Sequence, residues 1–213
     1  MEIKNGSLEY AINNNITSLV PEAVNDEQKK SLKKVDKFFK RTIDIIASIF
    51  GIIALLPLTI CVYIANLICK DRGPVFYTQN RIGHNGKIFK MYKYRSMIVG
   101  ADDKLEKYLE ENEEARKEFK QYKKLKDDPR VTKVGKFIRK TSIDEFPQFI
   151  NVLKGEMSLV GPRPYLEKER EDMNGYYQYI VTCKPGLTGL WQVSGRNDCT
   201  FDERIDLDME YYN

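Results

Sequence analysis

The sequence predicts an α-rich α/β protein in which a Pro-kinked re-entrant membrane helix is attached to a compact cytosolic domain of helices and a small β-hairpin. Three observations predict this architecture. No charged side chain occurs from Ile45 to Cys69. Two β-prone segments flank an Asn-Gly pair at residues 85–86. Beyond them, charged segments with the composition of helices alternate with turns rich in Gly and Pro.

Length and composition narrow the class of protein. With 213 residues, the chain has room for one globular domain plus an appendage. An aromatic content of 11% excludes a disordered chain, and a net charge of +4 is too mild to indicate a dedicated nucleic-acid binder. The four cysteines form no CxxC pair and there is a single histidine, so neither a zinc cluster nor a disulfide framework is expected. A reducing cytosol is the compartment that this pattern favours.

Residues 1–40 are predicted to be a polar and basic N-terminal tail that ends in the start of a helix. They do not resemble a signal peptide, because the apolar segment begins too late and no small-residue cleavage site follows it. We place the membrane helix at residues 41–72. At about 1.5 Å per residue, its uncharged part could cross a hydrocarbon core of about 30 Å. Pro57 lies near the middle of that part and predicts a break.

The charges on both sides of the apolar segment predict its topology. Residues 72–100 hold lysines and arginines but no carboxylate, and the preceding flank is basic as well: Lys29, Lys30, Lys33, Lys34, Lys37, Lys40 and Arg41. Since Lys and Arg mark the cytoplasmic side, both ends are expected there, as in a helix that enters and leaves the same leaflet. A kinked transmembrane helix is the alternative. A buried helix of a soluble core is disfavoured by the length of the uncharged stretch.

Residues 73–213 are predicted to form the cytosolic domain. Residues 75–78 and 87–92 are β-prone, and Asn85-Gly86 between them is typical of a tight hairpin. The stretch from Ala101 to about Tyr122 is rich in Glu, Lys and Leu, which predicts one exposed charged helix.

The rest of the domain combines short helices with turns. A basic helix is predicted from Val131 to Arg139. Apolar residues at 146, 149, 150 and 153 then repeat at helical spacing, with Gly155 as the C-terminal stop. Turns dominate from there to a last helix, which is predicted from Phe201 to Tyr211. Residues 83–86 are not a phosphate loop of the Walker type, because no Lys-Ser/Thr pair follows them.

The adjacent carboxylates Asp144 and Glu145 are the first candidates for chemistry. Ser142, three residues before Glu145, matches a capping box, which is a purely structural explanation. Pro147 weakens that explanation, since Pro fits best at the first helical position and would place both carboxylates just before the helix. There they would lie beside the positive end of the helix, where phosphate also binds.

Cations in rigid turns indicate an anionic substrate. Arg139 lies five residues before Asp144, and Arg163 stands between two prolines. Arg95 and Arg196 also lie in turn-like contexts. Because a guanidinium group binds phosphate in a bidentate manner, the recurrence of arginine in such turns predicts a phosphate-binding site.

A magnesium ion would suit the same arrangement of charges. One or two carboxylates hold Mg²⁺ while phosphates supply further oxygens. Asp144 and Asp208 are the candidate ligands, although a residue such as Asp208 is also compatible with a plain helix surface. Composition and spacing therefore indicate a membrane-attached domain that handles phosphate, and they do not identify the reaction.

A series of short motifs extends over most of the chain. In order they are KRTID at 40–44, GPVF at 73–76, QNRIG at 79–83, YKYRSM at 92–97, RKTSIDEFPQ at 139–148, NVLKGEMS at 151–158, LVGPRP at 159–164, KPGLTG at 184–189 and GRN at 195–197. In this order they resemble the bacterial sugar transferase family, the monotopic polyprenyl-phosphate phosphoglycosyl transferases. The charged stretch at 101–125, followed by KDDPRVT at 126–132, resembles the branch that transfers galactose-1-phosphate or glucose-1-phosphate.

The resemblance implies a reaction and roles for the site residues. A UDP-sugar and undecaprenyl phosphate would give undecaprenyl-diphosphate-sugar and UMP, the first step of capsule, exopolysaccharide or O-antigen synthesis. Asp144 would be the nucleophile that forms an aspartyl phospho-sugar, and Glu145 would act as a base or organise the metal and the acceptor phosphate. Mg²⁺ with Arg139 and Arg163 would offset the phosphate charge. Further candidates are Arg95, Arg196 and Asp208.

The resemblance also implies partners and a location for the catalytic domain. UDP-sugar, undecaprenyl phosphate and the lipid bilayer are the expected partners, with no nucleic acid and with a homodimer left open. The expected location is the cytoplasmic face of the inner membrane.

The sequence departs from the family pattern at two places. Leu56-Pro57 stands where the family often has Ser-Pro, so a hydroxyl is missing at the helix break. The chain ends at Asn213, soon after Asp208, and we expect a shortened C-terminus relative to the family.

Two other functions were weighed against the transferase. An inactive membrane scaffold for polysaccharide assembly is the alternative, consistent with the short C-terminus. A basic protein that binds anionic lipid or nucleic acid ranks last, because it requires neither the rigid Arg163 turn nor the paired carboxylates.

Overall fold

A computed structural model of the protein describes residues 26–173, 175–194 and 199–212. Within them the architecture is mostly helical, with two small two-stranded sheets and one long apolar helix, so the coarse fold class is confirmed. The predicted tail over residues 1–25 and the motif at 195–197 lie outside the described residues. The chain divides into an N-terminal unit that ends at Thr42 and a larger unit that begins at Ile43.

The first helix, α1, extends from Asp26 to Ile68. Residues 26–40, predicted as part of the tail, are therefore already helical. From Val35 to Ile68 the helix is long and apolar enough to cross a membrane. A helix suits this segment because it satisfies the backbone polar groups internally, as an apolar surrounding requires.

Pro57 lies inside α1, and the helix continues on both sides of it. Pro lacks the N–H that would bond the carbonyl four residues earlier. Two hydroxyl groups approach the backbone close by: Thr59 Oγ1 and Tyr94 Oη lie 2.7 and 3.2 Å from the Leu55 carbonyl oxygen. They provide local polar contacts although no Ser precedes Pro57. The predicted break is thus not a gap in the helix, and the kink and the re-entrant path stay predictions.

One face of α1 is buried against the larger unit, within the part of the helix from Ile43 onward. Asp44, Ser48, Gly51, Val62 and Asn66 recur along this face at helical spacing and are buried. The remaining surface exposes large apolar side chains, namely Ile46, Ile49, Phe50, Ile53, Leu56, Ile60, Tyr63, Ile64 and Leu67. Such a continuous exposed apolar surface is typical of contact with lipid or with another protein.

The predicted hairpin is confirmed. Strands β1 (Phe76–Ile82) and β2 (Ile88–Tyr94) pair antiparallel, from Phe76 opposite Tyr94 to Ile82 opposite Ile88. The connecting turn contains a 3₁₀ segment, His84–Gly86, in which Asn85 and Gly86 have φ angles of +57° and +75°. These two residue types tolerate positive φ, which is why this pair predicted the turn.

Two helices occupy the region where one charged helix was predicted. Helix α2 covers Ala101–Glu111 and helix α3 covers Glu113–Tyr122. Asn112 between them is extended, with φ −133°, and its side chain accepts a hydrogen bond from the N–H of Ala115. The single-helix prediction is therefore wrong, because an Asn that caps the second helix ends the first one.

The segment that carries the paired carboxylates follows the basic helix α4 (Lys133–Lys140). Thr132 caps α4 by accepting from the Gly135 N–H. After α4 come a 3₁₀ segment (Ile143–Gln148) and a short helix α5 (Phe149–Lys154), which ends at Gly155 with φ +81°. The predicted C-terminal stop at Gly155 is thus confirmed.

The C-terminal third contains a second sheet that the sequence did not reveal. Strand β3 (Ser158–Val160) pairs in parallel with β4 (Gly186–Thr188). The other elements are short 3₁₀ segments and helices: Glu167–Glu169, Glu171–Met173, α6 (Tyr177–Ile180), α7 (Leu190–Ser194) and α8 (Phe201–Tyr212). The last helix ends within one residue of its predicted boundary.

Small apolar clusters hold these elements together. One joins α1 to the hairpin and α4 through Val62, Tyr94, Val134 and Ile138. A second lies between β2, α5 and β3, and a third packs α8 against Ile82 and Tyr165. The hairpin and the carboxylate segment are thereby fixed against each other and against α1.

Candidate active site

Asp144 and Glu145 lie in the 3₁₀ segment that follows α4. Ser142 reverses the chain there with a φ of +58° and makes no side-chain capping hydrogen bond, so the capping-box interpretation is wrong. Pro147 lies within the 3₁₀ segment, before α5 begins at Phe149. The carboxylates therefore precede the α-helix, as the Pro indicated. Asp144 is buried, with 7% of its surface exposed, and Glu145 is half-buried.

Lys93 on strand β2 lies opposite the carboxylate pair. Its Nζ is 3.0 Å from Glu145 Oε1. The strand is held in this position by Asn151 of α5, whose side chain accepts from the Tyr92 N–H and donates to the Lys90 carbonyl at 3.1 and 2.8 Å. These two bonds hold β2 against α5, and the next residue of the strand, Lys93, is thereby kept near the carboxylates.

Burial raises the pKa of Asp144 above its usual value, since a charged carboxylate loses solvation there. Lys93 opposes this rise with its positive charge, Glu145 adds to it with its negative charge, and Arg139 lowers the pKa again. The result is a desolvated carboxylate surrounded by two cations and one further carboxylate. Such an environment favours attack by the carboxylate on an electrophile, because less solvent must be removed first.

Arg139 lies close enough to Asp144 for the two charges to interact. Its Nε donates to Ser96 Oγ at 2.8 Å, which orients the guanidinium group. Burial lowers the pKa of Arg139, and the charge of Asp144 raises it again. The two groups therefore interact electrostatically, although no direct hydrogen bond joins them among the contacts of the described residues.

Arg163 and Asp208 lie together in a second cluster. The Arg163 N–H and the Tyr165 hydroxyl both donate to Asp208 Oδ2, at 3.0 and 2.7 Å. The Arg163 guanidinium lies 3.8 Å from Glu169 Oε1 and 5.6 Å from the Trp191 ring. Within the described residues, no hydrogen bond or ion pair links this cluster to Asp144.

Asp208 is fully buried, and burial raises its pKa to about 6, although the bonds from Tyr165 and Arg163 oppose that rise. Its second oxygen, Oδ1, is buried without a hydrogen-bond partner among the described residues. The sequence left open a position on the helix surface for Asp208. This alternative is wrong, because the residue lies on the packed face of α8. Its predicted part in metal binding stays a prediction.

Arg95 is bound into the fold through three of its N–H groups. Nε donates to the Pro74 carbonyl, Nη1 to the Met97 carbonyl, and Nη2 to Asp71 Oδ1 at 2.7 Å. These bonds close the turn between α1 and β1 and describe a structural role. The predicted role in phosphate binding stays a prediction, and Arg196 lies outside the described residues.

The chemistry of the donor set is compatible with magnesium at Asp144 and Glu145. Among the described residues, no three His, Cys, Asp or Glu side chains lie close enough to form a metal cage. Mg²⁺ bound together with a phosphorylated substrate does not require one, since one or two carboxylates suffice when phosphates complete the coordination. Two adjacent carboxylates meet that requirement.

Lys93 is the residue that sequence reasoning missed. In the sequence it is only one of the basic residues, within the YKYRSM motif at 92–97. It lies 52 positions before Glu145, and only the packing of β2 against the 3₁₀ segment brings the two together. Its half-buried position on β2, where Lys90 of the same strand is exposed, distinguishes it in the structure, and no pattern in the sequence indicated it.

Known proteins similar to this chain belong to the family that the motifs indicate. A family model described as bacterial sugar transferase matches residues 35–213. The chain is 47% identical over 184 residues to the undecaprenyl-phosphate galactose phosphotransferase of Salmonella typhimurium strain LT2, which covers 86% of this chain and 38% of that protein. It is 41% identical over 185 residues to the exopolysaccharide production protein ExoY of Sinorhizobium fredii, which covers 87% of this chain and 81% of that protein.

A third relative has glucose in its name. The chain is 38% identical over 189 residues to the UDP-glucose:undecaprenyl-phosphate glucose-1-phosphate transferase of Escherichia coli K12, which covers 84% of this chain and 37% of that protein. The chain thus spans less than two fifths of the length of the Salmonella and Escherichia relatives and about four fifths of ExoY.

Proposed function

The chain belongs to the bacterial sugar transferase family, and from this we propose that it transfers hexose-1-phosphate, with galactose or glucose as the sugar, from a UDP-sugar to undecaprenyl phosphate and releases UMP. The names of the relatives support the acceptor and the class of sugar. The observation that carries the proposal is the buried Asp144, whose pKa is lowered by the positive charges of Lys93 and Arg139 against the effect of burial.

In the first step, an oxygen of Asp144 attacks the phosphorus that bears the sugar. The bond between that phosphorus and the bridging oxygen breaks, and UMP leaves with the electron pair. An aspartyl phospho-sugar remains on the enzyme. Because carboxylate and phosphate repel each other, fixed cations are needed, and Lys93 and Arg139 meet that need.

In the second step, an oxygen of the acceptor phosphate attacks the same phosphorus. The bond to Asp144 breaks and the carboxylate is restored. Glu145 orients the acceptor phosphate or takes its proton, and its contact with Lys93 holds it in place. Division of the transfer into two steps is typical of covalent catalysis, and exclusion of water protects the acyl phosphate between the steps.

Further charged groups complete this proposal. Asp144 and Glu145 would hold Mg²⁺, which would supply charge neutralisation at the phosphate oxygens when bound. Arg163 is proposed as a contact for the phosphates of the donor, with Arg196 and Arg95 as secondary candidates and Asp208 as a further metal ligand. The homodimer is an expectation that none of these observations supports.

We further propose that α1 attaches the domain to the cytoplasmic face of the inner membrane with both helix ends on the same side. Basic flanks on both sides of the apolar segment support this. So does the buried face of α1 from Asp44 to Asn66, which at about 1.5 Å per residue follows the domain for about 33 Å. A helix that crossed the bilayer upright would contact a domain on one side of the membrane over a much shorter length.

A screen for UMP release tests the proposed function. The purified protein, in detergent or in a bilayer disc, is incubated with undecaprenyl phosphate and each of a panel of UDP-sugars. We expect UMP release with UDP-galactose or UDP-glucose that depends on the lipid acceptor. The absence of UMP release with every donor, with membrane binding intact, would favour the inactive scaffold instead.

A further inference from the structure

A cavity of about 320 Å³ opens beside the carboxylate pair. It lies between the 3₁₀ segment and the elements β4 and α7. Its volume is in the range of about 300–1,000 Å³ that is usual for small-ligand sites.

Four apolar side chains and the polar side chains of Ser142, Glu145, Thr188 and Gln192 line this cavity. Glu145 contributes the carboxylate that pairs with Lys93, so the cavity borders the proposed reaction site. Phe146, Phe149, Leu187 and Val193 provide apolar surface, and Val193 is 78% exposed. No lysine or arginine belongs to the lining among the described residues.

The apolar part of the cavity is continuous with α1. The Phe149 ring lies so close to Gly51 of α1 that a Cβ at this glycine would overlap the ring. Phe146 packs with the cluster that contains Leu55 and Leu58 of the same helix, and the two Phe rings are 5.5 Å apart. The same pair of rings therefore forms the wall of the cavity and the contact surface of the apolar helix.

We propose that this cavity binds the first part of the isoprenoid chain of the lipid acceptor, directly behind its phosphate. The inference rests on the proposed function. A UDP-sugar is a poor fit, because its diphosphate requires cations and no described lysine or arginine lines the cavity. An isoprenoid chain requires apolar walls near the membrane, and Phe146 and Phe149 offer such a wall in contact with the apolar helix α1.

Val193→Asp tests this proposal, with Val99→Asp as the matched control. Both valines are largely exposed, at 78% and 68%, so a charge at either site is compatible with folding, and only Val193 lines the cavity. The steady-state kcat/KM is measured separately for undecaprenyl phosphate and for the UDP-sugar. For Val193→Asp we expect the acceptor value to fall by about tenfold, since the chain would lie against a charge that must be desolvated, and the donor value to stay unchanged. Val99→Asp leaves both values unchanged.

The outcomes separate this inference from the proposed function. If wild-type protein transfers no sugar phosphate to undecaprenyl phosphate, the proposed function fails. If wild type is active and Val193→Asp retains its kcat/KM for the acceptor, the cavity does not hold the isoprenoid chain. A loss confined to the donor assigns the cavity to the UDP-sugar and overturns the inference, and an equal loss for both substrates also counts against it.

Discussion

The Asp44 carboxylate, on the apolar helix α1, accepts a 2.9 Å hydrogen bond from the Ser158 hydroxyl of strand β3. The Leu159 N–H donates to the same carboxylate at 2.9 Å, and Asp44 is 4% exposed. An ionisable side chain next to a long uncharged stretch of helix is expected to face protein rather than lipid. Since β3 leads within three residues to Arg163, this contact fixes the apolar helix α1 to the turn that carries Arg163.

Asp44→Ala is therefore expected to destabilise the protein. The Ser158 hydroxyl and the Leu159 N–H would lose a buried charged acceptor, which costs about 2–3 kcal/mol. Thermal unfolding of the purified protein in detergent measures the change as a lower midpoint. Asp36→Ala is the control, because Asp36 is an exposed acidic residue on the same helix. Equal midpoints for the two variants would show that the Asp44 contact does not stabilise the protein.

Asp144→Asn is expected to abolish the covalent intermediate. Wild-type protein that is incubated with UDP-sugar labelled in the sugar, without lipid acceptor, should retain label through denaturation. An amide is a far weaker nucleophile than a carboxylate, so the variant should retain none. Asp127→Asn, at an exposed aspartate, is the control and should label like wild type. Equal labelling of wild type and Asp144→Asn would remove Asp144 from the role of nucleophile.

Lys93→Met is expected to shift the acidic limb of the pH–rate profile to higher pH. The positive charge of Lys93 lowers the pKa of Asp144, so its removal raises that pKa further, and the carboxylate ionises at a higher pH. Activity should therefore fall more at low pH than at high pH. Lys93→Arg should restore most of the profile, since it retains the charge.

Lys90→Met is the matched control for this prediction. Lys90 lies on the same strand with an exposed side chain. Its removal changes the net charge by the same amount without a contact to Glu145, and the profile should match wild type. An unshifted acidic limb in Lys93→Met would contradict the proposed electrostatic role of Lys93.

The fold was predictable from the sequence where one local rule decides the conformation. Asn85-Gly86 and Gly155 occupy positive φ angles that few other residues tolerate, and both were located correctly. Asn112 was missed because its capping role depends on a backbone conformation that composition does not reveal. The parallel pair β3–β4 was missed because its strands have three residues each and pair across 25 intervening positions.

The candidate site was predictable in part for the same reason. Asp144, Glu145 and Arg139 lie within seven residues, so local sequence places them together. Lys93 comes from a distant strand, and no periodicity connects it with Glu145. Conversely, arginine is a common phosphate ligand, but Arg95 donates its hydrogen bonds to Asp71 and to two carbonyl groups of the fold.

Labelling of single cysteines is expected to place both ends of α1 on the same side of the membrane. In a variant without the native cysteines, a cysteine is introduced at Asn25 or at Thr78. A membrane-impermeant maleimide should label both variants only after the membrane is permeabilised and the reagent reaches the cytoplasmic side, because both flanks are basic. Opposite accessibility of the two positions would restore the transmembrane alternative.

Asp208→Asn is expected to remove a pH dependence of stability. Burial raises the pKa of Asp208 from 3.8 to about 6, so the folded state holds this proton more tightly than the unfolded state. The stability that protonated Asp208 contributes is complete below about pH 4 and is lost as the pH rises through about 6. This loss lowers the free energy of unfolding by about 3 kcal/mol. Urea unfolding at intervals from pH 4 to pH 7 should show this difference between wild type and the variant. Asp206→Asn, at an exposed site of the same helix, controls for the loss of charge. A constant difference between wild type and Asp208→Asn over this range would mean that Asp208 does not titrate there.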